Sequence, residues 1–181
     1  MPRVARVSPG GMIFHCLNRG NDRRAVFDDS GDYAAFERVL EKTLELVPIR
    51  LLAYCLMPNH WHLVLWPRKD DRYFLVLSRY VERNALRTNL AANAQDWQWS
   101  SLWRRENGSP KERGILSEWP LPRPSNWVQW VNERQTDKEL EAIRESLRRG
   151  RPFGEPGWQA ATAARLRLES TFRERGRPKK A

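Results

Sequence analysis

Ile49-Arg-Leu-Leu-Ala-Tyr-Cys-Leu56, then Met57-Pro-Asn59, then His60-Trp-His-Leu-Val-Leu-Trp66 form two apolar runs of strand length joined by a very short link. A parallel pair would need a crossover of a dozen residues or more, so the two runs are expected to pair antiparallel as a hairpin. Upstream, Gly11-Met-Ile-Phe-His-Cys-Leu-Asn18 is a third apolar run, bounded by Gly10-Gly11 and Gly20-Asn21, and it also reads as a strand. A basic turn, Arg19-Gly-Asn-Asp-Arg-Arg24, follows it. Asp29 or Ser30 can then cap a helix whose apolar residues Phe36, Val39, Leu40, Leu44 and Val47 recur at helical spacing, and Pro48 stops it.

Downstream, Tyr73 to Leu90 carries apolar residues at helical spacing without Gly or Pro, which predicts a further helix. Asp96-Trp-Gln-Trp-Ser-Ser-Leu-Trp103 is an aromatic cluster expected to pack back on the sheet. Asn107 to Asn126 holds four of the twelve prolines and reads as a linker or irregular wrap. Thr136-Asp-Lys-Glu139 is a capping box for a helix presenting Leu140, Ile143 and Leu147 and ending at Gly150. A last helix is expected from about Trp158 to Leu168. These elements predict an α+β chain in two parts: residues 1–105 with the sheet, and residues 106–181 as linker and helical, basic extension.

With 40% hydrophobic residues, nine of them Trp, the 181-residue chain can build a core, so general disorder is excluded. The mean hydropathy of −0.74 and the lack of any long apolar run argue against a membrane span. No apolar stretch follows the charged N-terminus, so a soluble, cytoplasmic and nucleoid-associated protein is expected. Cys16 and Cys55 are too few for a disulfide framework. The net charge is +10, and only six of 32 basic residues are Lys. Guanidinium groups bind phosphate bidentately and stack on bases, so this balance points to a nucleic-acid partner.

Two of three histidines lie in His60-Trp-His62. Residues i and i+2 of a strand share a face, about 7 Å apart, so the two imidazoles project together while Trp61 turns away. The pair can be half of a divalent-metal site completed by oxygen ligands, or two imidazoles paired without a metal. On the following helix Tyr80 and Asn84 stand one turn apart on one face. They can supply a nucleophile and an amide ligand to the same centre, or Tyr80 can simply pack on the sheet. Cys55 offers a further option, a zinc site with His60 and His62.

Met57-Pro-Asn-His-Trp-His-Leu-Val64, Arg79-Tyr-Val-Glu-Arg-Asn-Ala85 and Trp97-Gln-Trp-Ser-Ser-Leu102 together resemble the REP-associated tyrosine transposases, a family of HUH-type single-tyrosine enzymes. Phe14-His-Cys-Leu-Asn-Arg-Gly-Asn21, Gly150-Arg-Pro-Phe-Gly154 and the tail from Leu166 are similar to the same family, so the resemblance spans most of the chain in order. It implies a reduced ferredoxin-like antiparallel sheet with helices packed on one face. It implies Tyr80 as nucleophile, and His60, His62 and Asn84 as ligands of Mg²⁺ or Mn²⁺. The implied substrate is single-stranded DNA near a palindromic hairpin, cleaved through a 5′-phosphotyrosine. The chain departs from the family in having only thirteen residues between Trp66 and Tyr80, which implies an internal deletion. Residues 67–72 span about 20 Å fully extended, so the Tyr helix can still reach the His face. The alternative to a working strand transferase is an inactive DNA-binding remnant of one.

Arg19, Arg23 and Arg24 beside the first strand, and Arg165, Arg167, Arg175, Arg177, Lys179 and Lys180 near the C-terminus, are the candidate DNA contacts. Arg175-Gly-Arg-Pro-Lys-Lys180 resembles an AT-hook core, which implies minor-groove contact. Trp97, Trp99 and Trp103 can stack on bases, but core packing is the expected role. No P-loop, dinucleotide-binding glycine motif or Cys-x-x-Cys is present in the sequence.

Overall fold

The computed structural model describes residues 12–46, 49–66 and 74–173. The positions of Val47, Pro48, the 67–72 link and the tail residues Arg175, Arg177, Lys179 and Lys180 lie outside them. The described residues divide into two compact units, those from 12 to Arg134 in one and those from Gln135 on in the other.

In the first unit, β1 (Phe14–Arg19), β2 (Arg50–Met57) and β3 (His60–Trp66) form an antiparallel sheet in the order β1-β3-β2. Pro58-Asn59 turns the β2–β3 hairpin, as the short link required. The register places Leu17 and Cys55 opposite His62, and Arg19 and Met57 opposite His60. Strand alternation then sends the two histidines to one face and Trp61, Leu63 and Leu65 to the other.

The Trp61 face packs on α1 (Ser30–Leu46). Asp29 caps this helix, accepting from the Gly31 and Asp32 amides. Its inner stripe is Tyr33, Phe36, Glu37, Leu40 and Leu44. Val39, expected inside, is 63% exposed, because it falls off that 3.6-residue stripe and Glu37 takes the inner position instead. Glu37 is tolerated there because Arg104 donates to it at 2.6 Å and the Tyr54 hydroxyl donates at 2.6 Å. Trp97 and Trp99 pack into the same core, and the Trp99 ring stacks on Tyr33 at 4.9 Å.

The His face is covered by α2 (Phe74–Glu82) and α3 (Asn84–Arg87). Helices therefore lie on both faces of the sheet, not the single face expected, because β3 is apolar on both sides apart from its two histidines. The helix expected from Tyr73 to Leu90 ends early: Asn89 adopts φ 58° and the Leu90 amide turns back to the Ala85 carbonyl at 2.9 Å.

Beyond these, α4 (Ser101–Asn107) packs on β2, the single turn α5 (Pro110–Arg113) on α4, and α6 (Trp127–Asn132) on α2. Trp127 and Val131 of α6 form a small core with Leu102 and Ala94. Residues 106–134 act as a wrap: Ile115 and Leu116 join the α1 core. The outer edge of β2 is satisfied by residues 99–101, through Leu56 amide to Trp99 carbonyl at 2.9 Å and Tyr54 amide to Ser101 Oγ at 3.0 Å, and by the wrap, through Ser117 amide to Leu51 carbonyl at 2.9 Å. At the register shift between Leu51 and Ala53, the Leu52 carbonyl accepts from Arg105 and from the Trp119 indole.

The second unit carries α7 (Asp137–Arg149) and α8 (Pro156–Leu166). The Thr136–Glu139 capping box is present, and Gly150 takes the left-handed conformation (φ 67°) that ends α7. Among the described residues no helix is long and apolar enough to cross a membrane.

Candidate functional site

His60 and His62 project from β3 into the layer between sheet and α2, with ring centroids 5.0 Å apart. Both are buried, at 7% and 2% exposure. Tyr80 reaches them from α2: its ring centroid is 6.0 Å from that of His62, edge to face, and 5.7 Å from that of His15. The structure thus places the Tyr80 ring beside His62 and His15, with His60 next to His62.

Each imidazole is held at one nitrogen. Nδ1 of His60 is 2.6 Å from Oδ1 of Asn59, an amide whose Nδ2 donates to the Arg23 carbonyl. Nδ1 of His62 is 2.8 Å from Nε2 of His15. Nε2 of His62 is buried with no hydrogen-bond partner. Burial lowers His60 to about 4, helped by the positive charges of Arg19 and Arg87. Burial also lowers His15 to about 4 and His62 well below its ordinary value, the latter with contributions from His15, His60, Arg87 and Arg19. All three imidazoles are neutral at pH 7, the form a metal ligand requires.

Asn84 stands one turn after Tyr80, and its Nδ2 donates to the Tyr80 carbonyl at 3.1 Å. That bond fixes the amide orientation, and Oδ1 then accepts from Arg87 Nη2. The guanidinium of Arg87 also lies 4.8 Å from the Tyr80 ring centroid. The oxygen expected to ligate a metal is therefore engaged by a cation. The Ala85 backbone hydrogen-bonds Cys55, which tethers α3 over the residue paired with His62. Burial pushes the Cys55 thiol up to about 12, and among the described residues it forms no metal-binding cluster with His60 and His62.

For a divalent cation, the unpartnered Nε2 of His62 and the neutral state of both strand histidines fit the group, with Asn84 fitting only if Arg87 releases its oxygen. Among the described residues no cluster of three or more His, Cys, Asp or Glu could hold a metal ion.

Arg19, exposed, is the cross-strand neighbour of His60. The turn holding Arg23 and Arg24 is clamped to the β2–β3 hairpin: the Gly20 amide donates to the Asn59 carbonyl at 2.9 Å and the Val26 amide to the Pro58 carbonyl at 2.7 Å. Gly20 is required there, since a Cβ would lie 2.4 Å from the Arg24 carbonyl oxygen. These three arginines are exposed next to the strand that carries the histidines. Arg165 and Arg167 are exposed in the second unit, at the end of α8. Trp97 and Trp127 bond backbone or buried groups through their indoles, to the Leu56 carbonyl and Glu82, and serve packing.

Two residues at the site were not singled out from sequence. Arg87 completes an i, i+4, i+7 face with Tyr80 and Asn84, a helical signal that was available. His15 meets His62 only through the β1–β3 register, which no local signal carries.

A model of the family described as "Transposase IS200 like" matches residues 10–106. A solved structure of a REP-associated tyrosine transposase bound to a REP hairpin is similar at 17% identity and TM-score 0.48, covering 76% of this chain and 100% of that one. Among curated proteins, none matches the chain.

Proposed function

The chain belongs to the IS200-like transposase family, and on that premise we propose that it cuts single-stranded DNA beside palindromic hairpins and transfers the strand through a phosphotyrosine. Tyr80 is the nucleophile. Its phenol gives up a proton and its oxygen bonds to phosphorus; the P–O3′ bond breaks and the departing oxygen takes up a proton. The products are a 5′-phosphotyrosine and a free 3′-hydroxyl. The energy of the phosphodiester stays in the covalent link, so rejoining needs no other energy source.

His60 and His62 would hold Mg²⁺ or Mn²⁺, which would polarise the scissile phosphate as a Lewis acid. Asn59 orients His60 through its amide. Asn84 ties its amide to the Tyr80 backbone and would be the third ligand, which requires Arg87 to release its oxygen. Arg19, Arg23 and Arg24 take the DNA backbone beside the centre. Arg165, Arg167 and the tail residues Arg175, Arg177, Lys179 and Lys180 add affinity, the last four through the minor-groove contact that their Arg-Gly-Arg-Pro sequence suits.

The observation that carries this reading is the 6.0 Å approach of the Tyr80 ring to the His62 ring between two different elements. One observation favours a second reading, an inactive DNA-binding remnant: Asn84 Oδ1 accepts from Arg87 and so is not presented to a cation. A labelled hairpin-flanked single strand incubated with Mn²⁺ separates the two on a denaturing gel. A covalent adduct that Tyr80→Phe abolishes is expected. Retention of DNA without an adduct supports the remnant, and an adduct that survives Tyr80→Phe removes Tyr80 as nucleophile.

A further inference from the structure

His15, Leu17, His62 and Val64 share one face of the β1–β3 pair, through the pairings His15 with Val64 and Leu17 with His62. The rings of His15 and His62 are 5.0 Å apart and inclined by 28°, with Nε2 of His15 2.8 Å from Nδ1 of His62. A single proton must lie between those nitrogens, because two lone pairs or two N–H groups would repel. The two outer nitrogens, Nδ1 of His15 and Nε2 of His62, are buried without a partner.

Only two arrangements remain for a neutral pair. If His15 donates, His62 carries its own proton on Nε2 and cannot ligate a cation through it. If His62 donates from Nδ1, its Nε2 becomes a buried lone pair with no other use. A cation in front of Nε2 selects the second arrangement, provided something accepts the Nδ1 proton. Among the described residues the partner of that nitrogen is His15.

We propose that His15 is a positioning residue for the metal centre: it accepts the Nδ1 proton of His62 and so fixes the tautomer and ring direction that turn Nε2 to the cation. This rests on the reading of His60 and His62 as metal ligands. A ligating histidine normally gives its second proton to a carboxylate, a backbone carbonyl or water. A neutral imidazole in that place orients the ligand without adding negative charge, which leaves the charge of the cation for the phosphate. His60 is served in the same way by a neutral group, the Asn59 amide.

Mn²⁺ binding to the full chain, read by electron paramagnetic resonance of the free ion, tests this with wild type, His15→Phe and His15→Gln. Phe keeps the volume and removes the acceptor; the Gln amide oxygen reaches the place of Nε2. His15→Phe is expected to weaken Mn²⁺ binding about 10–100-fold, and His15→Gln to restore it. Nitrogen-15 spectra with Mg²⁺ bound are expected to show His62 protonated on Nδ1 in wild type. Equal Mn²⁺ affinity in His15→Phe, or His62 protonated on Nε2 with Mg²⁺ bound, overturns the proposal alone. No Mn²⁺ binding by wild type overturns the metal reading of His60 and His62, and this proposal with it. Should His15→Phe not fold, the Gln variant and the wild-type spectra decide.

Discussion

At the scale of single residues, two buried imidazoles and the half-buried His15 are kept neutral by desolvation. This has a consequence for stability. An unfolded histidine takes its proton near pH 6.5, whereas His15 and His60 resist it down to about 4 and His62 further still. Between pH 6.5 and about 4 the unfolded chain binds protons that the native state refuses. Stability therefore is fully present above 6.5 and falls as pH drops through that window, by up to ~1.4 kcal/mol per pH unit for each histidine. Melting temperatures of wild type and of the His60→Gln/His62→Gln double variant, measured from pH 7 to 4, should show a flatter profile for the variant. Burial raises Glu37 and Glu82, which act in the opposite sense, but both proteins share them and they cancel in the comparison. Equal slopes would mean that the imidazoles are not held neutral.

At the scale of elements, the decisive contact is between the Tyr80 helix and α6. The last carbonyls of a helix have no partner within it. Arg79 donates to the carbonyls of Trp130 and Glu133 at 2.8 and 2.9 Å, and Arg83 to those of Val131 and Asn132 at 2.8 and 2.5 Å. Arg79 also lies over the Trp130 ring, 4.9 Å from its centroid. Glu82, fully buried, accepts from Ser101 Oγ and the Trp127 indole at 2.6 and 2.7 Å. The outer side of α2 thus engages α6 and Ser101 through Arg79 and Glu82, while its inner side carries Tyr80 to the sheet. Arg79→Met keeps the aliphatic stem and removes the charged donors, and it should cost on the order of 3 kcal/mol in urea unfolding. Arg83→Met should cost less, because Arg83 is only half-buried and water can replace it. The reverse order would show that Arg79 does not anchor the helix end.

At the scale of the whole molecule, a charge of +10 makes any DNA affinity steeply salt-dependent. Each phosphate neutralised on a single strand contributes about 0.7 to the slope of log K against log salt. Replacing Arg175, Arg177, Lys179 and Lys180 by Ala should therefore make that slope shallower by up to about 3, read by fluorescence anisotropy over a salt series. An unchanged slope would remove the tail from the DNA interface. Much of this architecture is legible in residues alone. The hairpin follows from a link too short for a crossover, the shared face of His60 and His62 from strand alternation, and the limits of α7 from Thr136, Glu139 and Gly150. The turn spacing of Tyr80 and Asn84 belongs with these, since each rests on interactions between near neighbours in the chain. Tertiary structure alone decided that His15 meets His62, that α2 and α3 cover the His face, that Arg87 takes the Asn84 oxygen, and that residues 106–134 wrap the sheet edge. Those pairings join distant segments, and their register is selected by the packing of the whole unit, which no short pattern of residues encodes.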